Sequence, residues 1–229
     1  APLIVAELGA RGLTRGIEPD GLNINKGGGS LPPDVLAAKV REHRADIGLA
    51  LDGDADRLIV VDEYGTVLDG DQIMAVCADE MMTRGTLAGG TLVATVMSNL
   101  ALEEHLAAEQ IPVFRCPVGD RYVLETMKRE GSQLGGEQSG HIIVREFAST
   151  GDGLCAGLLF LRACRELGED TDTLVDRFAR YPQILRNLHV RDKRRILEDR
   201  GLQESLSEAE ARMQGKGRIV VRPSGTEAL

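Results

Sequence analysis

The chain has 229 residues, of which 42% are hydrophobic, only 3% are aromatic and none is Trp, so aliphatic side chains must fill any core. Its formal net charge is −9, the opposite of the basic excess that general nucleic-acid binding requires. No run of about eighteen apolar residues occurs, which argues against a membrane span, and the four cysteines, none in a C-x-x-C pair, read as reduced and mostly buried thiols of a cytoplasmic protein.

Residues 2–9 (PLIVAELG) read as a helix stopped by Gly9. Residues 25–33 (NKGGGSLPP) are a loop cluster. The wholly apolar run 47–51 (IGLAL) and the run 58–61 predict two buried strands, with a turn at 63–65 before a short strand at 66–68. Helices are expected over 71–83, 99–109, 120–129 and 153–167, and strands over 91–97 and 111–115. This alternation implies βαβ units and mainly parallel sheets. Beyond about residue 180 the pattern changes to strands at 184–190 and 218–222 around a charged helix at 196–213. The expectation is an α/β protein: consecutive α/β domains with mixed, mostly parallel sheets, then part of a smaller α+β domain, with boundaries near 68 and 180.

The strand IGLAL runs into Asp52-Gly53-Asp54-Ala55-Asp56-Arg57, which places carboxylates at every second position of a loop. Three like charges that converge repel strongly unless a cation neutralises them, and oxygen-only ligands suit a hard cation such as magnesium or calcium. An EF-hand loop fits poorly, because Arg57 stands where that loop needs Gly and both flanks are strand-like. An aspartyl-phosphate phosphatase with Asp52 as nucleophile stays open.

Three further loops carry chemistry. Residues 135–141 (GGEQSGH) combine backbone-exposing glycines with Glu137, Ser139 and His141, donors and acceptors suited to sugar hydroxyls. Residues 222–226 (RPSGT) offer Arg222, Ser224, Gly225 and Thr226 as a phosphate cradle. Gly119, Asp120 and Arg121 open a helix after a strand, as anion sites do, with Asp120 also a candidate N-cap; Ser98 and Asn99 close another strand.

Together these loops resemble the α-D-phosphohexomutase superfamily: DGDADR is similar to its metal loop, GEQSGH to its sugar-recognition loop and RPSGTE to its phosphate-binding loop, in the family's order. PDGLNIN (19–25), VMSN (96–99), VGDRYV (118–123) and the Gln within GEQSGH look like the phosphoglucosamine mutase branch. The resemblance implies a phosphosugar mutase that interconverts glucosamine 6-phosphate and glucosamine 1-phosphate through a phosphoserine and a bisphosphate intermediate. It implies Mg2+ held by Asp52, Asp54 and Asp56, and Arg57 in a supporting catalytic role. Ser98, Asn99, Gly119, Asp120, Arg121, Glu137, Ser139, His141, Arg222, Ser224, Gly225 and Thr226 are the implied substrate contacts. The implied partner is a small phosphosugar, with neither nucleic acid nor membrane.

The family has four domains. By resemblance residues 1–68 are the later part of domain 2, residues 69–180 domain 3 and residues 181–229 an incomplete domain 4. Domain 1, with its Ser-His-Asn-Pro phosphoserine loop, is expected to be missing, and no Ser-His pair occurs in the sequence. The chain alone is therefore expected to lack mutase activity. The alternatives are a phosphomannomutase/phosphoglucomutase, a metal-dependent sugar-phosphate phosphatase and a non-catalytic sugar-phosphate-binding module.

Overall fold

A computed structural model describes residues 2–18, 20–22, 33–168, 171–175, 179–190 and 192–223. Contacts divide the chain into two compact units, residues 1–179 and 180–229. The first begins with α1 (Pro2–Glu7), an exposed helix that ends before Gly9 at φ +86°. A helix not foreseen from the sequence, α2 (Pro33–His43), follows; Pro33 stands where a missing N–H costs nothing, and Ala37 and Val40 form its buried stripe.

Strands β1 (Ile47–Leu51), β2 (Leu58–Asp62) and β3 (Val67–Leu68) form a sheet in the order β1-β2-β3, antiparallel throughout. This corrects the expectation of mainly parallel pairing here. The physical reason is length: six residues separate β1 from β2, and a parallel crossover needs a dozen or more. Every residue of β2 is buried, because both faces of the sheet are covered. Val61 packs on Ala37 and Val40 of α2, while Leu58 and Val60 face the main core.

Helix α3 (Gly70–Thr83) opens on a capping box, in which the Asp69 side chain accepts from the Asp71 and Gln72 amides and the Gln72 side chain returns the bond. Next come β4 (Leu92–Thr95), α4 (Leu100–Ala108), β5 (Val113–Cys116), α5 (Asp120–Glu130), β6 (Leu134–Gly136), β7 (Ile142–Val144) and α6 (Gly153–Leu167). The second sheet runs β5-β4-β6-β7; β4 is parallel to both β5 and β6, and β7 is antiparallel to β6. Its side chains alternate between faces as a pleated strand requires. Leu92, Ala94, Ile142 and Val144 join α3, α4 and α6 in one core, whereas Val93 and Ile143 join Val123 and Met127 of α5 in the other.

Helices α3 and α6 touch each other and both sheets, so they form a shared middle layer. Phe160 of α6 is fully buried there. Because α3 is buried from Gly70 to Met81, its charges need internal partners. Asp79 faces His105 Nε2 at 3.1 Å, and Glu80 accepts from Arg84 at 3.3 Å and from Arg162 of α6 at 2.9 Å. Another short helix, α7 (Thr171–Val175), also packs on α3. Among the described residues no helix is long and apolar enough to cross a membrane, and the four cysteines are free.

The second unit differs from its sequence expectation. Residues 184–190 and 218–222 form no strand; they run without regular hydrogen bonding, and Ile184, Leu185 and Leu188 are exposed. A strand-like sequence becomes a strand only when another strand accepts its hydrogen bonds, and propensity cannot supply that partner. The helix expected over 196–213 is broken in two, α8 (Lys193–Leu197) and α9 (Arg200–Met213). Asp199 ends the first and caps the second by accepting from the Leu202 amide.

Candidate active site

The parallel strands bring the expected loops of the first unit to one edge. The chain leaves β4 toward α4 on one face of the sheet, and leaves β5 toward α5 on the other. Open α/β sheets bind ligands at the carboxyl ends of strands where connections diverge in this way. The turn at Ser98–Asn99 follows β4, Gly119 to Arg121 follow β5, and residues 137–141 follow β6.

Asp52, Asp54 and Asp56 lie in the loop between β1 and β2, and each offers a carboxylate oxygen within 4.8 Å of the others. The Asp52 carbonyl accepts from the Ala55 amide, with Ala55 at φ +61°, and Asp52 Oδ1 accepts from the Arg57 amide at 3.1 Å. Arg57 Nε stands 3.9 Å from both Asp52 Oδ2 and Asp56 Oδ1. Burial pushes the Asp56 carboxyl above its ordinary value; His141 opposes this, and the Asp52 and Asp54 charges add to it.

The acidic loop and residues 137–141 are joined through backbone. Arg57 and His141 form an antiparallel bridge, and the Leu58 amide donates to the Gly140 carbonyl at 3.0 Å. Gly140 sits at φ +92°, where a Cβ would also lie 2.1 Å from the Leu58 carbonyl oxygen, so this position requires glycine twice over. The Gly153 amide, opening α6, donates to the Ala55 carbonyl at 2.9 Å.

His141 is 3% exposed, and neither ring nitrogen has a hydrogen-bond partner among the described residues. Its Nε2 lies 3.5 Å from Asp56 Oδ2. A Cβ on Gly151 would fall 2.4 Å from that nitrogen, so Gly151 leaves the room the ring occupies.

Glu137 couples two loops. Its Oε1 accepts from the Gly119 amide at 2.9 Å, and its Oε2 faces the Ser139 hydroxyl at 3.3 Å. Gly119, not Asp120, is the N-cap of α5; Asp120 is already helical, and its carboxylate accepts from the Arg121 amide. Arg121 is exposed and reaches along its own helix to Glu125 Oε1 at 2.8 Å. Asn99 caps α4, its side chain accepting from the Ala101 amide at 3.1 Å.

The second unit is a separate case. Arg222 is exposed, and Ser224, Gly225 and Thr226 lie outside the described residues, as does most of the 25–33 loop cluster.

One buried group escaped sequence reasoning. Asp71 is 0% exposed, and its Oδ2 accepts from the Asn99 amide at 2.7 Å and from Gln138 Nε2 at 3.2 Å. Its carboxyl is pushed up to about 7, chiefly by burial and then by the nearby Asp69 charge. The Asn99 amide, the Ser98 hydroxyl and Gln138 oppose the shift. The available signal was a carboxylate in the first turn of a helix whose next turns, Ile73 to Ala78, are wholly apolar.

Known proteins align with this arrangement. The model for the phosphoglucomutase/phosphomannomutase alpha/beta/alpha domain III matches residues 69–181, and the model for the C-terminal domain of the same family matches residues 185–229. The chain belongs to the phosphoglucomutase/phosphomannomutase family. Curated relatives include phosphoglucosamine mutases of Nitratidesulfovibrio vulgaris, 54% identical over 229 residues, and of Desulfovibrio desulfuricans, 56% identical over 230 residues. Each match covers 100% of this chain and 51% of the relative, so the chain spans about half the length of the curated relatives it matches.

Among solved structures, N-acetylphosphoglucosamine mutase of Aspergillus fumigatus in complex with GlcNAc-6P and magnesium superposes with TM-score 0.69 at 22% identity, over 93% of this chain and 49% of that one. A phosphoglucomutase/phosphomannomutase family protein of Burkholderia thailandensis gives TM-score 0.52 at 28% identity, over 62% of this chain and 30% of that one.

Proposed function

We propose that the chain supplies the metal loop, sugar-recognition loop and phosphate loop of a phosphoglucosamine mutase that interconverts glucosamine 6-phosphate and glucosamine 1-phosphate. The observation that carries this reading is the cluster of three carboxylates within 4.8 Å, bridged through Arg57 and His141 to the 137–141 loop. Identity of 54% to phosphoglucosamine mutases along the whole chain supports it. Residues 1–68 correspond in this reading to the later part of domain 2, residues 69–180 to domain 3 and residues 181–229 to part of domain 4.

The donor set suits a hard divalent cation: three carboxylates that raise one another's charge cost, with no sulfur among them. Asp52, Asp54 and Asp56 would hold magnesium, which when bound supplies charge neutralisation for a transferring phosphoryl group. Arg57 adds fixed positive charge beside the same loop. His141, buried with Nε2 3.5 Å from Asp56 Oδ2, would add positive charge beside that carboxylate when protonated. Glu137 and Ser139 bind sugar hydroxyls, and a carboxylate with two equivalent oxygens serves a sugar that must bind in two directions. Gly119, Asp120 and Arg121 would line the cleft, while Ser98 and Asn99, buried at the turn after β4, would support it. Arg222, Ser224, Gly225 and Thr226 hold the phosphate that is not reacting. No residue in this set stores a phosphoryl group between two transfers, so the cycle draws on a phosphoserine elsewhere.

A chimera tests the reading. This chain replaces the matching half of the Nitratidesulfovibrio vulgaris relative, and phosphorus NMR follows glucosamine 6-phosphate with magnesium and glucosamine 1,6-bisphosphate. Glucosamine 1-phosphate is expected from the chimera and not from the 229-residue chain alone. In the chimera Glu137→Gln should lower kcat/KM about tenfold to a hundredfold, the loss of one charged hydrogen bond, with serine phosphorylation intact. A chimera that folds and phosphorylates its serine yet makes no product overturns the assignment. Inorganic phosphate released by the chain alone would instead favour a phosphatase with Asp52 as nucleophile.

A further inference from the structure

We infer that Asp71 is a positioning residue for the sugar-facing loop, a buried carboxylate that ties Gln138 to the turn after β4 and to the start of α3. One oxygen does this. Asp71 Oδ2 accepts the Asn99 amide at 2.7 Å and the Gln138 side-chain amide at 3.2 Å, joining positions 28 and 67 residues away in the chain. The carboxylate is completely buried, so solvent competes little for its oxygen, and removing it takes an acceptor from the buried Asn99 amide and from the part-buried Gln138 side chain.

The loop also returns a bond to the same helix. The Gly70 amide donates to the Gln138 carbonyl at 2.9 Å, so main chain and side chain of Gln138 both reach the first turn of α3. The neighbouring residues of the loop, Glu137 and Ser139, are left on the outer side, with Glu137 engaging Gly119. Gln138 therefore turns inward to fix the loop, while the residues on either side of it present the polar groups that a sugar would meet. The assignment of a sugar to those groups rests on the proposed function; the clamp itself does not.

Amide hydrogen exchange on the 229-residue chain reads the clamp directly. Asp71→Ala should speed exchange at Asn99, Gly70 and Gly140 about tenfold or more, with the amides of β4 and α6 unaffected. Asp71→Asn keeps an oxygen acceptor and should stay within about threefold of the parent at Gly70 and Gly140. Gln138→Leu should speed Gly70 and Gly140 but spare Asn99; it carries the test alone if Asp71→Ala does not fold. Faster exchange throughout the first unit, or no change at Gly70 and Gly140 in Gln138→Leu, overturns the inference. Calorimetry with glucosamine 6-phosphate on the same variants separates the two levels. A loosened loop with unaltered affinity upholds the clamp and removes the sugar contact, whereas weaker affinity with unchanged exchange removes the clamp.

Discussion

Asp52, Asp54 and Asp56 crowd within 4.8 Å of one another, and the Arg57 side chain comes no nearer than 3.9 Å to Asp52 or Asp56. On α3, Asp71, Asp79 and Glu80 are between 0% and 7% exposed, and each has partners of its own: the Asn99 amide and Gln138, His105, and two arginines. The α3 charges are consumed by the fold. Those of the acidic loop are offset only in part, by Arg57 and His141, and the remaining repulsion is what the proposed cation would lower. Substitution should therefore act in opposite senses at the two places: loss of stability on α3, loss of metal response in the loop.

The largest effect is expected at Glu80. Glu80→Ala strips the shared partner from Arg84 and Arg162, whose side chains are 44% and 32% exposed and can partly rehydrate. A cost of about 2–3 kcal/mol follows, below that of a fully buried pair, measurable by denaturant unfolding. An unaltered midpoint would show that α3 does not depend on its charges.

Asp71 comes next, through pH. Its folded value of about 7 lies above the ordinary carboxylate value, so its contribution to stability is complete below the unfolded value and is lost as pH rises through about 7. Between pH 5.5 and 8 the parent chain should lose roughly 2 kcal/mol that Asp71→Asn does not lose. Parallel pH profiles for the two proteins would contradict the burial argument.

The smallest effect belongs to the acidic loop. Asp54→Asn should leave the melting temperature without metal unchanged or slightly higher, since it relieves repulsion. It should reduce the stabilisation by saturating magnesium by about 1 kcal/mol, read from thermal melts with and without the ion. A destabilised metal-free variant would place Asp54 with the α3 carboxylates instead.

This contrast was half legible in the sequence. The acidic loop announced itself through alternate carboxylates after an apolar strand, and α3, β4 and α6 through long patterned runs. Local pattern also held enough to reveal more than was read from it. The Leu36, Ala37 and Val40 spacing after Pro33 marks α2, and the short link from β1 to β2 requires antiparallel pairing. Asp71 was different in kind. Its partners lie 28 and 67 residues away, and no local pattern encodes a bond that exists only once the sheet edge is assembled. Residues 184–190 fail for the mirror reason: β-branched and apolar residues state a preference for a strand, and the preference is void where no strand among the described residues pairs with them.

The 137–141 loop is anchored largely through its own backbone, by the Leu58 amide, the Gly70 amide and the Gly140 conformation; of its outward side chains, Glu137 adds a bond to the Gly119 amide and Ser139 reaches only Glu137. This makes it a cassette. Varying Ser139 while keeping Glu137, Gln138, Gly140 and Asp71 should alter the polar face the loop presents, the face that meets the sugar in the proposed function, without altering where the loop stands. The Arg57–His141 bridge keeps each such variant in register with the acidic loop, so one loop can be rewritten without re-engineering the other.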